Sequence, residues 1–276
     1  MKIPHVIGIG AQKAGTSWLH NNIKQNRSFW VPPFKEVHFF DHNFVPENRA
    51  WTEGHVRKGV KSAAERWEKQ GIHNHKRKAW ARTALEKPMF TKNWYEHIFS
   101  LCPDGRIPID ITPEYSSIST DGIKFAEDVL GSNFRAIYIV RSPVHRAISQ
   151  IKMMIRRRKL TSPSREDWMD LLNLDVIYER GNYKSHISRW MSARPKESLL
   201  FIPFGMISKD PLQVMRDIEE FTNAESHDYR NLNEKIFASA PISIPDYVYE
   251  NLNISLCDQE AYLIDTFGSE FFENSK

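Results

Sequence analysis

Cysteine is scarce in this chain of 276 residues: Cys102 and Cys257 are the only two. Two thiols are too few for a disulfide framework, and they lack the spacing of metal ligands, which suits a reducing compartment. No apolar stretch approaches the roughly 20 residues of a membrane span, and Pro4 and His5 interrupt the region where a signal peptide would need its apolar segment. The expectation is a cytoplasmic chain with no membrane span. A net charge of +4 is too modest to argue for a nucleic-acid partner. No internal repeat is visible either. What the composition does supply is core material: 41% hydrophobic residues, with 16 Phe and 8 Trp, enough for one domain over residues 1–276.

Apolar, β-rich runs alternate with helix-like periodicity along the chain. Strands are expected at 5–10, 106–111, 134–140 and 198–202, with a short extended piece at 29–31. Helices are expected at 16–26, 121–130, 143–158, 164–173, 181–193 and 210–222. A last helix should run from Asp258 to Thr266, begun by Ser255 and stopped by Gly268. That order predicts an α/β fold with a central parallel sheet and helices on both faces. A polar, helix-prone region at about 46–100 would shape an acceptor site. Its tryptophans, Trp51, Trp67, Trp80 and Trp94, read as packing residues or as stacking surfaces for a sugar.

The most informative stretch is Ile7 to Leu19, IGIGAQKAGTSWL. A buried strand empties into a loop of small residues before Thr16, Ser17 and Trp18 open a helix. Gly10, Ala11, Ala14 and Gly15 allow close backbone approach, and the free N–H groups of the helix start favour an anion. Lys13 adds a full positive charge, and the Thr16 and Ser17 hydroxyls add donors. The triphosphate loop G-x-x-x-x-G-K-[ST] fits poorly, because Thr16 stands where its lysine belongs. The dinucleotide fingerprint fails because Lys13 stands where its third glycine belongs.

A second strand-to-helix junction, AIYIVRSPVHRAIS from Ala136 to Ser149, places Arg141 at the strand end and Arg146 and Ser149 on the helix. Arg141 and Ser149 can converge on one anion; the plain alternative is a sheet-capping arginine and a solvated serine. Between the two junctions lies PFKEVHFFD, Pro33 to Asp41. Glu36 and His38 alternate with Val37 and Phe39, so a strand-like backbone would present both on one side. A carboxylate or imidazole there suits general-base work on a hydroxyl, and a capped turn with a core histidine is the structural alternative. Basic runs at His73–Lys78 and Lys152–Lys159 read as solvated helix faces or as attractors for a polyanionic nucleotide.

These motifs together resemble the sulfotransferases that use 3′-phosphoadenosine 5′-phosphosulfate (PAPS), and most closely the heparan sulfate glucosaminyl 3-O-sulfotransferase branch, whose equivalent segment also reads EVHFFD. The resemblance extends to Asp110-Ile111-Thr112-Pro113-Glu114-Tyr115 and to Gly181-Asn182-Tyr183 through Trp190, spanning residues 5 to about 225. It implies that Lys13, Ala14, Gly15, Thr16, Ser17 and Trp18 hold the 5′-phosphosulfate and that Arg141 and Ser149 hold the 3′-phosphate. Glu36 becomes the general base, Lys13 and His38 assist catalysis, and Lys35, His38, Asp41 and Tyr183 lie toward the acceptor, a glycan or small molecule. The product would be 3′-phosphoadenosine 5′-phosphate (PAP), and no metal is implied. Two departures stand out. The branch has a lysine where this chain has Ile111, and its C-terminal Lys-Gly-Arg loop has only Lys235 as a counterpart. An ATP-dependent small-molecule kinase and a catalytically silent PAP- or glycan-binding protein are the alternatives.

Overall fold

The computed structural model describes residues 3–72, 74–234 and 242–276. In chain order the elements are β1 (Val6–Gly10), α1 (Thr16–Ile23), β2 (Phe29–Trp30), α2 (Phe39–Phe44), α3 (Arg49–Lys69), α4 (His75–Ala84) and α5 (Lys92–Ile98). There follow β3 (Ile107–Ile111), α6 (Thr120–Leu130), β4 (Arg135–Val140), α7 (Pro143–Arg157), α8 (Arg165–Leu172), α9 (Asp175–Glu179) and α10 (Tyr183–Ala193). The chain closes with β5 (Leu199–Pro203), α11 (Met206–Lys209), α12 (Pro211–Thr222), α13 (Asp246–Phe267) and α14 (Ser269–Asn274).

The strands form one parallel sheet in the order β2-β3-β1-β4-β5. Central β1 pairs with β3 through Val6 opposite Ile109 and with β4 through Val6 opposite Arg135. Every residue of β1 is buried, so both faces of the sheet are covered, as parallel pairing requires. The connections after β1 and β4 leave toward different sides of the sheet, which opens a crevice outside the carboxyl ends of the strands. Gly10, Ile111 and Arg141, at or just past the ends of β1, β3 and β4, therefore face the same region.

A second, smaller apolar cluster joins α7, α8 and α13 through Ile151, Ile155, Trp168, Leu171, Val248 and Leu252. It explains one departure from the sequence reading. Instead of starting near Asp258, α13 starts at Asp246, because Val248, Leu252 and Leu256 extend the same buried stripe backward to a Pro245 cap. Ser255 sits exposed in mid-helix, while Gly268, at φ 90°, ends the helix as expected. The Glu36 segment departs as well. It is no strand: Glu36 and His38 take left-handed φ values of 66° and 56°, and α2 begins immediately after them. No helix among the described residues is long and apolar enough to cross a membrane.

Candidate active site

Gly15 is the structural reason the first loop turns where it does. At φ 84° it caps α1 in a conformation that L side chains disfavour, and a Cβ there would stand 2.6 Å from Ile207 Cδ1. No side chain caps α1, so its first N–H groups remain available to a ligand. The loop is anchored to the sheet by the Ala11 N–H donating to the Ile139 carbonyl at 2.7 Å. Ala14 and Trp18 are buried beneath it, and the Trp18 indole donates to the Leu232 carbonyl at 2.8 Å. Lys13 sits at φ 70° with its ammonium among cations. Burial first, then the charges of Arg156, Arg141, Arg157 and Lys35, lower its pKa to about 8. Lys35 is paired with Glu36 at 3.0 Å, but the arginines crowding the half-buried Lys13 make an anion a favourable neighbour there.

Arg141 closes the other side. Its Nη1 donates to the Lys13 carbonyl at 2.9 Å, its guanidinium lies 4.3 Å from the centre of the Phe204 ring, and its buried Nε has no protein acceptor. That orphaned donor fits a phosphate oxygen. Ser149 stands half-buried on α7, eight residues further on. Arg146 points elsewhere: it is fully buried and bonds Gln150 and the Ile177 carbonyl. Tyr183, expected toward the acceptor, lies instead under Arg141. It is wholly buried, its hydroxyl donates to the Arg141 carbonyl at 2.8 Å and accepts from the Arg141 N–H at 3.3 Å.

The Glu36 loop meets the loop between β1 and α1 through Lys35. The Lys35 ammonium contacts Ser17 Oγ at 2.9 Å, Thr16 Oγ1 at 3.3 Å and Glu36 Oε1 at 3.0 Å. Lys35 thus joins both loops rather than standing on the acceptor side alone. Burial would raise the Glu36 pKa, but the Lys35 and His38 charges outweigh it and hold the carboxyl below its ordinary value. His38 is buried, with Nδ1 3.0 Å from Asp41 Oδ2 and Nε2 3.8 Å from Glu36 Oε2. Burial pulls the imidazole down, yet Asp41, Glu114 and Glu36 together raise its pKa to about 9. Although the backbone is not extended, Glu36 and His38 still converge, because two left-handed residues turn both side chains inward.

That loop is held by a network the sequence did not reveal. Asp110, at the end of β3, accepts from Thr112 Oγ1 and the Tyr115 hydroxyl, both at 2.7 Å, and from the Tyr95 hydroxyl at 3.0 Å. Thr112 and Tyr115 in turn accept the Val37 and Phe39 N–H groups, each at 3.0 Å. Each alternate amide of the segment is pinned. Burial raises Asp110 to about 6 despite those donors. A second cluster links Gln12 of the first loop to Glu114 at 3.1 Å and to Arg180 at 2.5 Å. Trp51 and His55 pack edge-on against His38, with centroids at 4.7 and 4.8 Å. Of the four tryptophans, Trp51 reaches the site, whereas Trp80 and Trp94 are core and Trp67 packs on Trp80. Lys235 lies outside the described residues.

Residues 4–237 match the sulfotransferase domain family. Solved structures of similar fold include a sulfotransferase from Alicyclobacillus acidocaldarius, 18% identical over 96% of each chain with a TM-score of 0.67. The sulfotransferase domain of a Synechococcus olefin synthase is 16% identical over 95% of this chain and 96% of its own, with a TM-score of 0.60. A mouse sulfotransferase complexed with PAP is 14% identical over 99% of this chain and 89% of its own, with a TM-score of 0.54. A search among curated proteins found no match.

Proposed function

This chain belongs to the sulfotransferase family, enzymes dependent on PAPS, and on that premise we propose that it transfers the sulfuryl group to a hydroxyl of a carbohydrate or other small metabolite with Glu36 as general base. The observation that carries the reading is the Lys35 bridge. One ammonium touches Ser17 and Thr16 at the phosphate loop and Glu36 on the acceptor side. Donor and base are thereby held in one register.

In this reading the α1 amides, Lys13, Thr16 and Ser17 hold the 5′-phosphosulfate, and Arg141 with Ser149 holds the 3′-phosphate. The fit rests on the orphaned Arg141 Nε and on the cations that crowd Lys13. The acceptor oxygen attacks sulfur in line, the sulfur bond to the bridging oxygen breaks, and the acceptor proton passes to Glu36. Lys13 stabilises the charge that appears on the departing phosphate of PAP. Glu36 is a weak base at its lowered pKa, so its proton transfer belongs late, when the acceptor oxygen has become acidic through bonding to sulfur. His38, cationic near neutrality, keeps Glu36 ionised. The EVHFFD resemblance supports a sugar hydroxyl, and Trp51 beside His38 supplies a ring for it to lie against.

Replacement of Glu36 tests the role. Glu36→Gln should cut PAPS-dependent turnover about 10²-fold or more while PAP affinity stays within a few-fold, read by product mass spectrometry and calorimetry. Near-normal turnover would transfer the role to His38.

A further inference from the structure

The proposed base and two imidazoles beside it together make a donor set. His38, Glu36 and His55 each offer one ligand atom, and the three atoms lie within 4.8 Å of one another. His38 Nε2 is buried, has no hydrogen-bond partner, and sits 3.8 Å from Glu36 Oε2. Its other nitrogen is held by Asp41 at 3.0 Å, and Asp41 is held by Asn48 at 2.9 Å. A carboxylate on the far nitrogen is the support that orients metal-binding imidazoles and raises their basicity. His55 lies nearly perpendicular to the His38 ring, at 86°, and its Nε2 is 3.2 Å from the Lys35 carbonyl, which leaves Nδ1 for a ligand. Trp51 packs edge-on against both rings and shields that side.

We propose that Glu36, His38 and His55 form a binding site for Zn²⁺ on the acceptor side, and that an ion there blocks sulfuryl transfer. Two imidazoles and one carboxylate make a set that suits zinc and disfavours magnesium or calcium, which prefer oxygen alone. Tetrahedral bonds of about 2.0–2.2 Å separate ligand atoms by about 3.3–3.6 Å. His38 Nε2 and Glu36 Oε2 are 3.8 Å apart and all three ligand atoms lie within 4.8 Å of one another, so the set must tighten around the ion when it binds. Three protein ligands leave the fourth position open toward the space of the acceptor hydroxyl. The site's existence is independent of the catalytic reading; only the blocking effect rests on it, since zinc displaces the Nε2 proton of His38 to solvent and takes the lone pair that Glu36 would use for the acceptor proton. Lys35, 3.0 Å from Glu36, is the built-in opponent of the metal.

The test uses the full chain carrying Cys257→Ser, which removes an exposed thiol as a competing ligand. Equilibrium dialysis with ZnCl₂ should find one ion per chain, and CoCl₂ should give the visible absorption of a four-coordinate site. His55→Gln should weaken zinc about ten-fold or more, and Lys35→Met should tighten it. If His55→Gln fails to fold, Glu36→Gln should weaken zinc in the same way. Saturating zinc should leave PAP affinity within a few-fold. No stoichiometric binding at about 100 μM zinc, equal zinc affinity in a folded His55→Gln, or loss of PAP binding with zinc bound would each overturn the assignment.

Discussion

Lys13 illustrates how a single residue is tuned by its surroundings. Its ammonium is crowded by burial and by four cations, which brings its pKa to about 8 in the nucleotide-free protein. The sign follows directly. Below about pH 8 the group is charged and attracts an anion; above it, binding must first recruit a proton. PAP affinity should therefore fall as pH rises from 7 to 9.5, with proton uptake on binding small at pH 7 and approaching one above about pH 8, and Lys13→Met should flatten that dependence. Calorimetry in buffers of different ionisation heat measures both. The same shift means that the charged Lys13 costs the free protein stability at neutral pH, a cost that fades between about 8 and 10.5. The places of Lys13 and Arg141 beside strand ends could be read from the sequence, because apolar runs mark those ends; Glu36 and His38 were singled out by alternating polarity and by the EVHFFD resemblance. The depressed pKa of Lys13 could not be read, since Arg156 and Lys35 approach it only through the fold.

At the scale of elements, the sequence order of strands and helices predicts the sheet well because buried parallel strands are continuous apolar runs. It misplaces α13, whose start depends on a stripe packing against α7, and it misreads the Glu36 segment as extended. Alternating polarity suggested a strand there, yet two positive φ values and three hydroxyl or carboxylate groups from β3 and the turn after it fix the backbone. Tyr115 is the key to that hold: its hydroxyl donates to Asp110 and accepts the Phe39 N–H. Tyr115→Phe should leave a buried amide unpaired, costing about 1–3 kcal/mol in urea denaturation. It should also lower turnover more than PAP affinity, because the loop it steadies carries Glu36 and not the nucleotide ligands. Wild-type turnover in a destabilised Tyr115→Phe would detach the network from the chemistry.

For the whole molecule, charge is concentrated rather than abundant. The whole chain carries a net charge of only +4, yet at the end of α7 the consecutive residues Arg156, Arg157, Arg158 and Lys159 are all exposed, and the first two act on Lys13. Arg156→Gln with Arg157→Gln should slow PAP association and reduce its salt dependence, with little change in thermal stability, as stopped-flow binding at several ionic strengths would show. The central claim is that the two strand-to-helix junctions read the two ends of one nucleotide. Its most direct measurement is calorimetry of wild type and Arg141→Ala with PAP and with adenosine 5′-phosphate, which lacks the 3′-phosphate. A charged hydrogen bond of about 1.5–3 kcal/mol predicts that the substitution weakens PAP roughly 10- to 150-fold. Adenosine 5′-phosphate should be nearly unaffected, so the preference between the two collapses. Equal weakening of both ligands in folded Arg141→Ala would contradict the account, because Arg141 would then be supporting the Lys13 loop as a whole instead of holding the 3′-phosphate.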